Sequence, residues 1–176
     1  PENTQYAGAE LCSLCHEDIG IDFMSNPHSG QDVEIDGTAH GACETCHGPG
    51  QEHADTMDRT EIRAFGELNP ILTQTMCLDC HAGEGAHSDR LFDAYQRKSV
   101  SCTSCHDIHA SAEPRRLLVT SANELCAGCH PAERAAFQRP FSHRLGEGAV
   151  RCVDCHAPHG SPRQHQLQAA HSNEEG

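Results

Sequence analysis

The chain has 176 residues, of which 36% are hydrophobic and 4% aromatic, with no tryptophan, so side chains alone supply too little apolar volume for an ordinary core. A formal net charge of −14 disfavours a nucleic-acid partner and fits a surface that meets a basic one. No apolar run reaches the roughly 18 residues of a transmembrane helix.

In chain order, the pattern from Ala9 through Met24 predicts one helix, closed ahead of Asn26 and Pro27 because proline drives its predecessor out of helical geometry. It carries Cys12, Cys15 and His16, a C-x-x-C-H motif, and His28 follows the proline. Residues 30–41 read as polar, acidic loop holding His40, and lead to a second motif, Cys43, Cys46 and His47. Gly48, Pro49 and Gly50 predict a tight turn that swings His53 back toward it. A short helix is expected over Arg59–Phe65. The third motif, Cys77, Cys80 and His81, follows Thr73 and is trailed by a loop over Ala82–Gly85 and by His87. The fourth, Cys102, Cys105 and His106, is followed by His109.

Ser121 and Glu124 have the spacing of a capping box, opening a helix over the fifth motif, Cys126, Cys129 and His130. Pro131 begins another helical turn that ends by Arg139, ahead of Pro140. His143 lies in the loop to the sixth motif, Cys152, Cys155 and His156, after which comes His159. The polar tail beyond Ser161, with His165 and His171, is expected to be poorly ordered.

All 12 cysteines are consumed by these six motifs. Two thiols three positions apart can each form a thioether with a haem vinyl group, and the adjoining histidine reaches the iron from one face. Zinc knuckles or disulfides would not require a histidine after every second cysteine. Chance placement of all six has a probability on the order of 4 × 10⁻⁷ at this histidine content. The expectation is six covalent haem c groups, with His16, His47, His81, His106, His130 and His156 as proximal iron ligands.

The first cysteines of successive motifs are 31, 34, 25, 24 and 26 residues apart, a repeat that stacks naturally into one continuous domain over 1–176, with its haem-binding core at about 9–161. Porphyrin discs then supply the missing interior, and the haem-free chain is expected to be largely unfolded. Covalent attachment is carried out on the exported side of a membrane, which places the chain in the periplasm or outside the cell and makes Pro1 the expected start of a processed form.

Nine histidines remain, and six are needed to close every iron's second face, an arrangement that suits electron transfer and opposes substrate binding. Met24, Met57 and Met76 read as apolar filling against porphyrin. The basic residues are nearly all arginine, with Lys98 the one lysine, and several arginines suit pairing with propionates.

The runs Cys43–His53 (CETCHGPGQEH), Ser101–His109 (SCTSCHDIH), Glu124–His143 (ELCAGCHPAERAAFQRPFSH) and Cys152–Ser161 (CVDCHAPHGS) resemble the decahaem DmsE/MtrA-type periplasmic cytochromes and the shorter pentahaem NrfB type. The resemblance implies a mainly α fold with much irregular loop, an elongated haem wire with little or no β-sheet. It implies an electron relay between protein donor and acceptor, the partners offering basic docking patches. It marks His28, His53, His109, His143 and His159 as distal ligands.

The chain departs from the family ahead of the fourth motif, where a histidine gives way to Asp93, Ala94 and Tyr95. His87 is taken for the sixth distal position, with His40 as alternative, so the haem at Cys77 and Cys80 is left with His87, His40, Tyr95 or an open face. Two other readings follow. An open iron beside Tyr95 or Arg97 would make a small-molecule reductase, and spare histidines His40, His165 and His171 would permit an extracellular filament joined by inter-subunit ligation.

Overall fold

Helix formation is confined to stretches of six to twelve residues, most of them built on or beside a C-x-x-C-H motif. The computed structural model describes residues 5–35, 38–83, 95, 98, 100–113, 115–145 and 148–168. Where one helix was predicted over 9–24 there are two, α1 (Ala9–Cys15) and α2 (Glu17–Phe23), because His16 leaves helical geometry at φ −113°, ψ 47°. His16 N–H still donates to the Cys12 carbonyl at 2.9 Å and its own carbonyl accepts from Gly20 N–H at 2.9 Å, so the break turns the chain without interrupting its hydrogen bonds. The same break occurs at His130, φ −117°, ψ 59°, between α6 (Ala122–Cys129) and α7 (Pro131–Phe137), and there Pro131 enforces it.

The second motif lies in α3 (Ala42–His47), closed by Gly48 at φ 78°, a torsion glycine accepts without strain. Helix α4 (Gln51–Thr56) follows directly. The third motif ends α5 (Pro70–His81), the longest helix among the described residues, whose start is signalled by an Asn-Pro pair: Asn69 Oδ1 accepts from Leu72 N–H at 2.9 Å, and Pro70 occupies the first turn.

Other expectations need correction. The stretch 59–65 forms no continuous helix but two single 3₁₀ turns, Arg59–Glu61 and Phe65–Glu67, with Ile62 and Ala64 extended between them. The first turn is fixed by Asp58, whose carboxylate accepts from Thr60 N–H at 2.9 Å. The loop before the second motif contains a short antiparallel ribbon, β1 (Val33–Ile35) with β2 (Thr38–His40), in register Val33↔His40. Helix α6 starts where the capping box placed it, yet Ser121 Oγ donates to the Glu124 carboxylate at 3.1 Å instead of accepting from backbone. The rest is the expected fold class, short helices and irregular loop with little β structure.

The tail is also tied down as far as residue 168. Ser161 is buried and donates to the Leu167 carbonyl at 2.6 Å, and Gln168 N–H donates to the Cys155 carbonyl at 2.8 Å. An equivalent return loop follows the fourth motif. Asp107 N–H donates to the Leu117 carbonyl at 2.7 Å as Ala157 N–H does to that of Gln166, and Val119 N–H bonds the Cys105 carbonyl at 3.0 Å. Leu117 and Gln166 both adopt positive φ, 53° each, to make the turn.

Among the described residues only Ala42, Leu117, Leu118 and Ala122 are buried apolar side chains, joined by Asn26, Glu44, Thr73 and Ser161. This is the thin core that composition foretold. No helix among the described residues is long and apolar enough to cross a membrane.

Candidate functional site: the motif pairs and the facing histidines

The six motifs are clasped two by two. The residue three before the first cysteine of an odd-numbered motif meets the residue two before the first cysteine of the next. Ala9 packs so closely on Gly41 that a Cβ there would lie 2.7 Å from its own. Gln74 Nε2 donates to the Val100 carbonyl at 3.1 Å, and Asn123 Nδ2 donates to the Val150 carbonyl at 3.1 Å. Asn123 is used fully, since Nδ2 also donates to Leu145 and Oδ1 accepts from Cys152 N–H at 2.9 Å.

The first cysteines of each clasped pair also meet. The thiols of Cys12 and Cys43, of Cys77 and Cys102, and of Cys126 and Cys152 interact by hydrogen bond. Burial, then the neighbouring sulfur, pushes Cys12 up to about 11; the same two causes push Cys126 to a similar level. The hydrogen bond to Cys102, then burial, pushes Cys77 higher still. No disulfide joins any of the twelve.

Four of the motif histidines face a second imidazole. The ring centroids of His16 and His53 are 6.3 Å apart, those of His47 and His109 5.9 Å, of His28 and His81 5.9 Å, and of His106 and His159 5.9 Å. Three pairs are within 17° to 22° of parallel, and His28 and His81 cross at 72°. Rings in direct contact would sit closer. Two imidazoles that bind one metal from opposite sides through bonds of about 2 Å bring their centroids to about 6 Å, so the spacing fits an axial pair across an iron.

Hydrogen bonding at the far nitrogen gives a second test. His47 Nδ1 lies 2.7 Å from the Arg63 carbonyl, His106 Nδ1 2.8 Å from that of Arg116, His156 Nδ1 2.8 Å from that of His165, and His53 Nδ1 2.9 Å from that of Asp58. A carbonyl can only accept, so each Nδ1 carries the proton and Nε2 keeps its lone pair for a metal. Burial holds His47 below the ordinary imidazole range, in the neutral form a metal requires. The donor set therefore suits haem iron on both counts.

Every pair joins two different motifs. The distal candidate three residues after His106 faces His47, and the one three residues after His156 faces His106. The ring that faces His81, at Cys77 and Cys80, is that of His28. His143 is exposed and is not brought against a motif histidine among the described residues. His87, His171 and Arg97 lie outside the described residues, as does the side chain of His40. His130 Nδ1 lies 3.9 Å from the Glu133 carboxylate.

Sequence reasoning passed over two positioning residues. Buried Asn26 donates through Nδ2 to the Ile108 carbonyl at 2.6 Å, while its Oδ1 accepts from His28 N–H at 2.9 Å and lies 3.0 Å from His28 Nδ1. It thereby sets His28 and the loop of His109 against each other. Buried Glu44, inside the second motif, holds the segment ahead of the first. An asparagine directly before Pro-His was the available signal for the former; for the latter, an acidic residue between motif cysteines was no signal, since Asp79 and Asp154, one place later in their motifs, are exposed.

Over residues 95–135 and 143–174 the chain matches the family described as the doubled CXXCH motif. It is 30% identical over 181 residues to the multiheme cytochrome MtrA of Shewanella baltica (strain OS185), an alignment that covers 95% of this chain and 51% of that protein. The chain thus spans about half the length of this curated relative. Its fold is similar to that of an undecaheme cytochrome from the S-layer of Carboxydothermus ferrireducens, with a TM-score of 0.62 at 16% identity over 96% of this chain and 52% of that one. Motifs that leave no cysteine unused, imidazoles spaced for an iron between them, and a likeness that covers nearly all of this chain converge on one resemblance: the chain is similar to the multihaem c-type cytochromes.

Proposed function

We propose that the chain is an electron-transfer relay carrying six haem c groups, one at each motif, and that it turns over no substrate of its own. The observation that supports this reading is the set of four facing histidine pairs, whose spacing would let each pair hold an iron from both sides and leave no room there for a substrate. In this reading His53 serves the attachment at His16, His109 that at His47, His28 that at His81 and His159 that at His106. His87 and His143 remain for the attachments at His130 and His156.

Haem c held in this way supplies one-electron chemistry without transfer of atoms. The polypeptide's contribution is placement. Cysteines fix each porphyrin edge, paired imidazoles exclude other ligands, and the clasps at Ala9, Gln74 and Asn123 hold consecutive attachment points side by side. Exposed Leu14, Ile21, Met24 and Ile71 offer the apolar surface that porphyrin faces would cover.

The first and last motifs then serve as ports. The acidic surface favours donors and acceptors with basic docking patches, and the chemistry of attachment places the protein in the periplasm or at the cell exterior. Electron paramagnetic resonance of the ferric protein, with haem counted by mass, tests the reading. Six haems with at least four low-spin bis-histidine signals are expected, and a dominant high-spin spectrum would overturn it.

A further inference from the structure

Two opposite charges are fixed at opposite ends of the second motif. Glu44 stands between Cys43 and Cys46, yet its carboxylate turns toward the first motif. One oxygen accepts from Ala7 N–H and Gly50 N–H, each at 2.8 Å, and the other from Gly8 N–H at 2.9 Å. Cys12 Sγ lies 3.3 Å from the Gly8 carbonyl oxygen, so the residue that the carboxylate holds stands against the first attachment point. At 3% exposure Glu44 is the buried carboxylate among the described residues, the rest being in partial or full contact with water.

Arg63 lies on the other side. Its Nη1 donates to the Cys46 carbonyl at 2.6 Å, and its backbone is bonded to His47 twice, N–H to carbonyl at 3.2 Å and carbonyl to Nδ1 at 2.7 Å.

We propose that Glu44 and Arg63 set a step in reduction potential between the first two attachment sites. The buried anion favours the ferric state at Cys12, Cys15 and His16 and lowers the potential there. The cation favours the ferrous state at Cys43, Cys46 and His47 and raises it. One electron leaves the first iron, which is oxidised, and arrives at the second, which is reduced, with no proton or bond exchanged. The step gives the amino-terminal end a direction, inward from the first motif. Because Glu44 is out of water and Arg63 is exposed, the larger share comes from Glu44. The proposal rests on the relay reading for its purpose, though not for its measurement.

The test is a mediated potentiometric titration of the intact holoprotein. The components of the first two sites are identified as those raised by His53→Met and by His109→Met, since methionine ligation raises the potential of the iron it reaches. Glu44→Gln is expected to raise the first component by a factor of ten or more in its ferric-to-ferrous balance, 59 mV for one electron. Arg63→Gln is expected to lower the second by a smaller amount. Glu44→Asp keeps the charge and is expected to leave the first component in place even where the melting temperature falls. A shift below tenfold in Glu44→Gln, or an equal shift in Glu44→Asp, would overturn the proposal. The titration is at equilibrium, so a failure of transfer along the chain would sink the relay while leaving this result intact.

Discussion

The ring of His28 lies 5.9 Å from that of His81, although the whole second motif intervenes between them in the chain. The connection passes over the nearer His53, which faces His16 instead. If these two rings share an iron, His28→Ala opens one axial site at the third motif. The ferric spectrum is then expected to lose one low-spin centre and gain one high-spin centre that binds carbon monoxide when reduced. The same outcome from His87→Ala, with His28→Ala silent, would refute the pairing.

Asn26 holds two distal histidines at once, His28 by direct contact and His109 through the Ile108 carbonyl. Replacing it with alanine removes the partner of that part-buried carbonyl, at a cost of about 1–2 kcal/mol. The second and third attachment sites should be perturbed together, visible as a shift in two low-spin signals while those of the first and fourth stay fixed.

Asp107 organises the loop that carries His109, accepting from His109 N–H at 2.9 Å and Ala110 N–H at 3.1 Å. These two N–H groups hold its carboxyl below the ordinary range. A depressed value stabilises the fold above the unfolded carboxyl's pKa, and this stabilisation is lost as pH falls through the folded one. Asp107→Ala is therefore expected to melt earlier at pH 7, by about 1 kcal/mol, with the gap to the parent closing as pH falls below the ordinary carboxyl range. A gap that persists at low pH would contradict this.

Gly41 is the contact point between α1 and α3. A methyl group there must displace Ala9, including its backbone nitrogen at 3.1 Å, so Gly41→Ala is expected to cost about 1–3 kcal/mol. The effect should be local. Hydrogen exchange is expected to rise in α1 and α3 and to remain unchanged in α6.

The four small or medium apolar side chains buried among the described residues cannot offset the conformational entropy of a chain this long. Polypeptide produced without haem attachment is expected to show weak helical circular dichroism and no cooperative melt. A sharp transition would mean that the protein alone suffices.

The attachment chemistry was legible because it is local: a C-x-x-C-H motif needs only five consecutive residues to be read. Helix ends at Phe23, Phe137 and the start of α6 were legible for the same reason, through Pro27, Pro140 and Ser121. The break at His16 was not, since no proline follows it as Pro131 follows His130. The partner of each motif histidine was also hidden, because it is set by contacts between distant segments such as Asn26 with Ile108. The ordering of 161–168 escaped notice because its hydrogen bonds are made by backbone, which a polar composition does not reveal.

The crossing of histidines between motifs bears on assembly. A chain delivered from its amino terminus presents His47 long before His109 exists on the same side, whereas His81 finds His28 already waiting. On the proposed pairing, the second site stays unfinished until the fourth motif has been exported, while the third can close as soon as it emerges. Maturation is then expected to run out of numerical order, and a truncation after the third motif to strand a site far upstream of the cut.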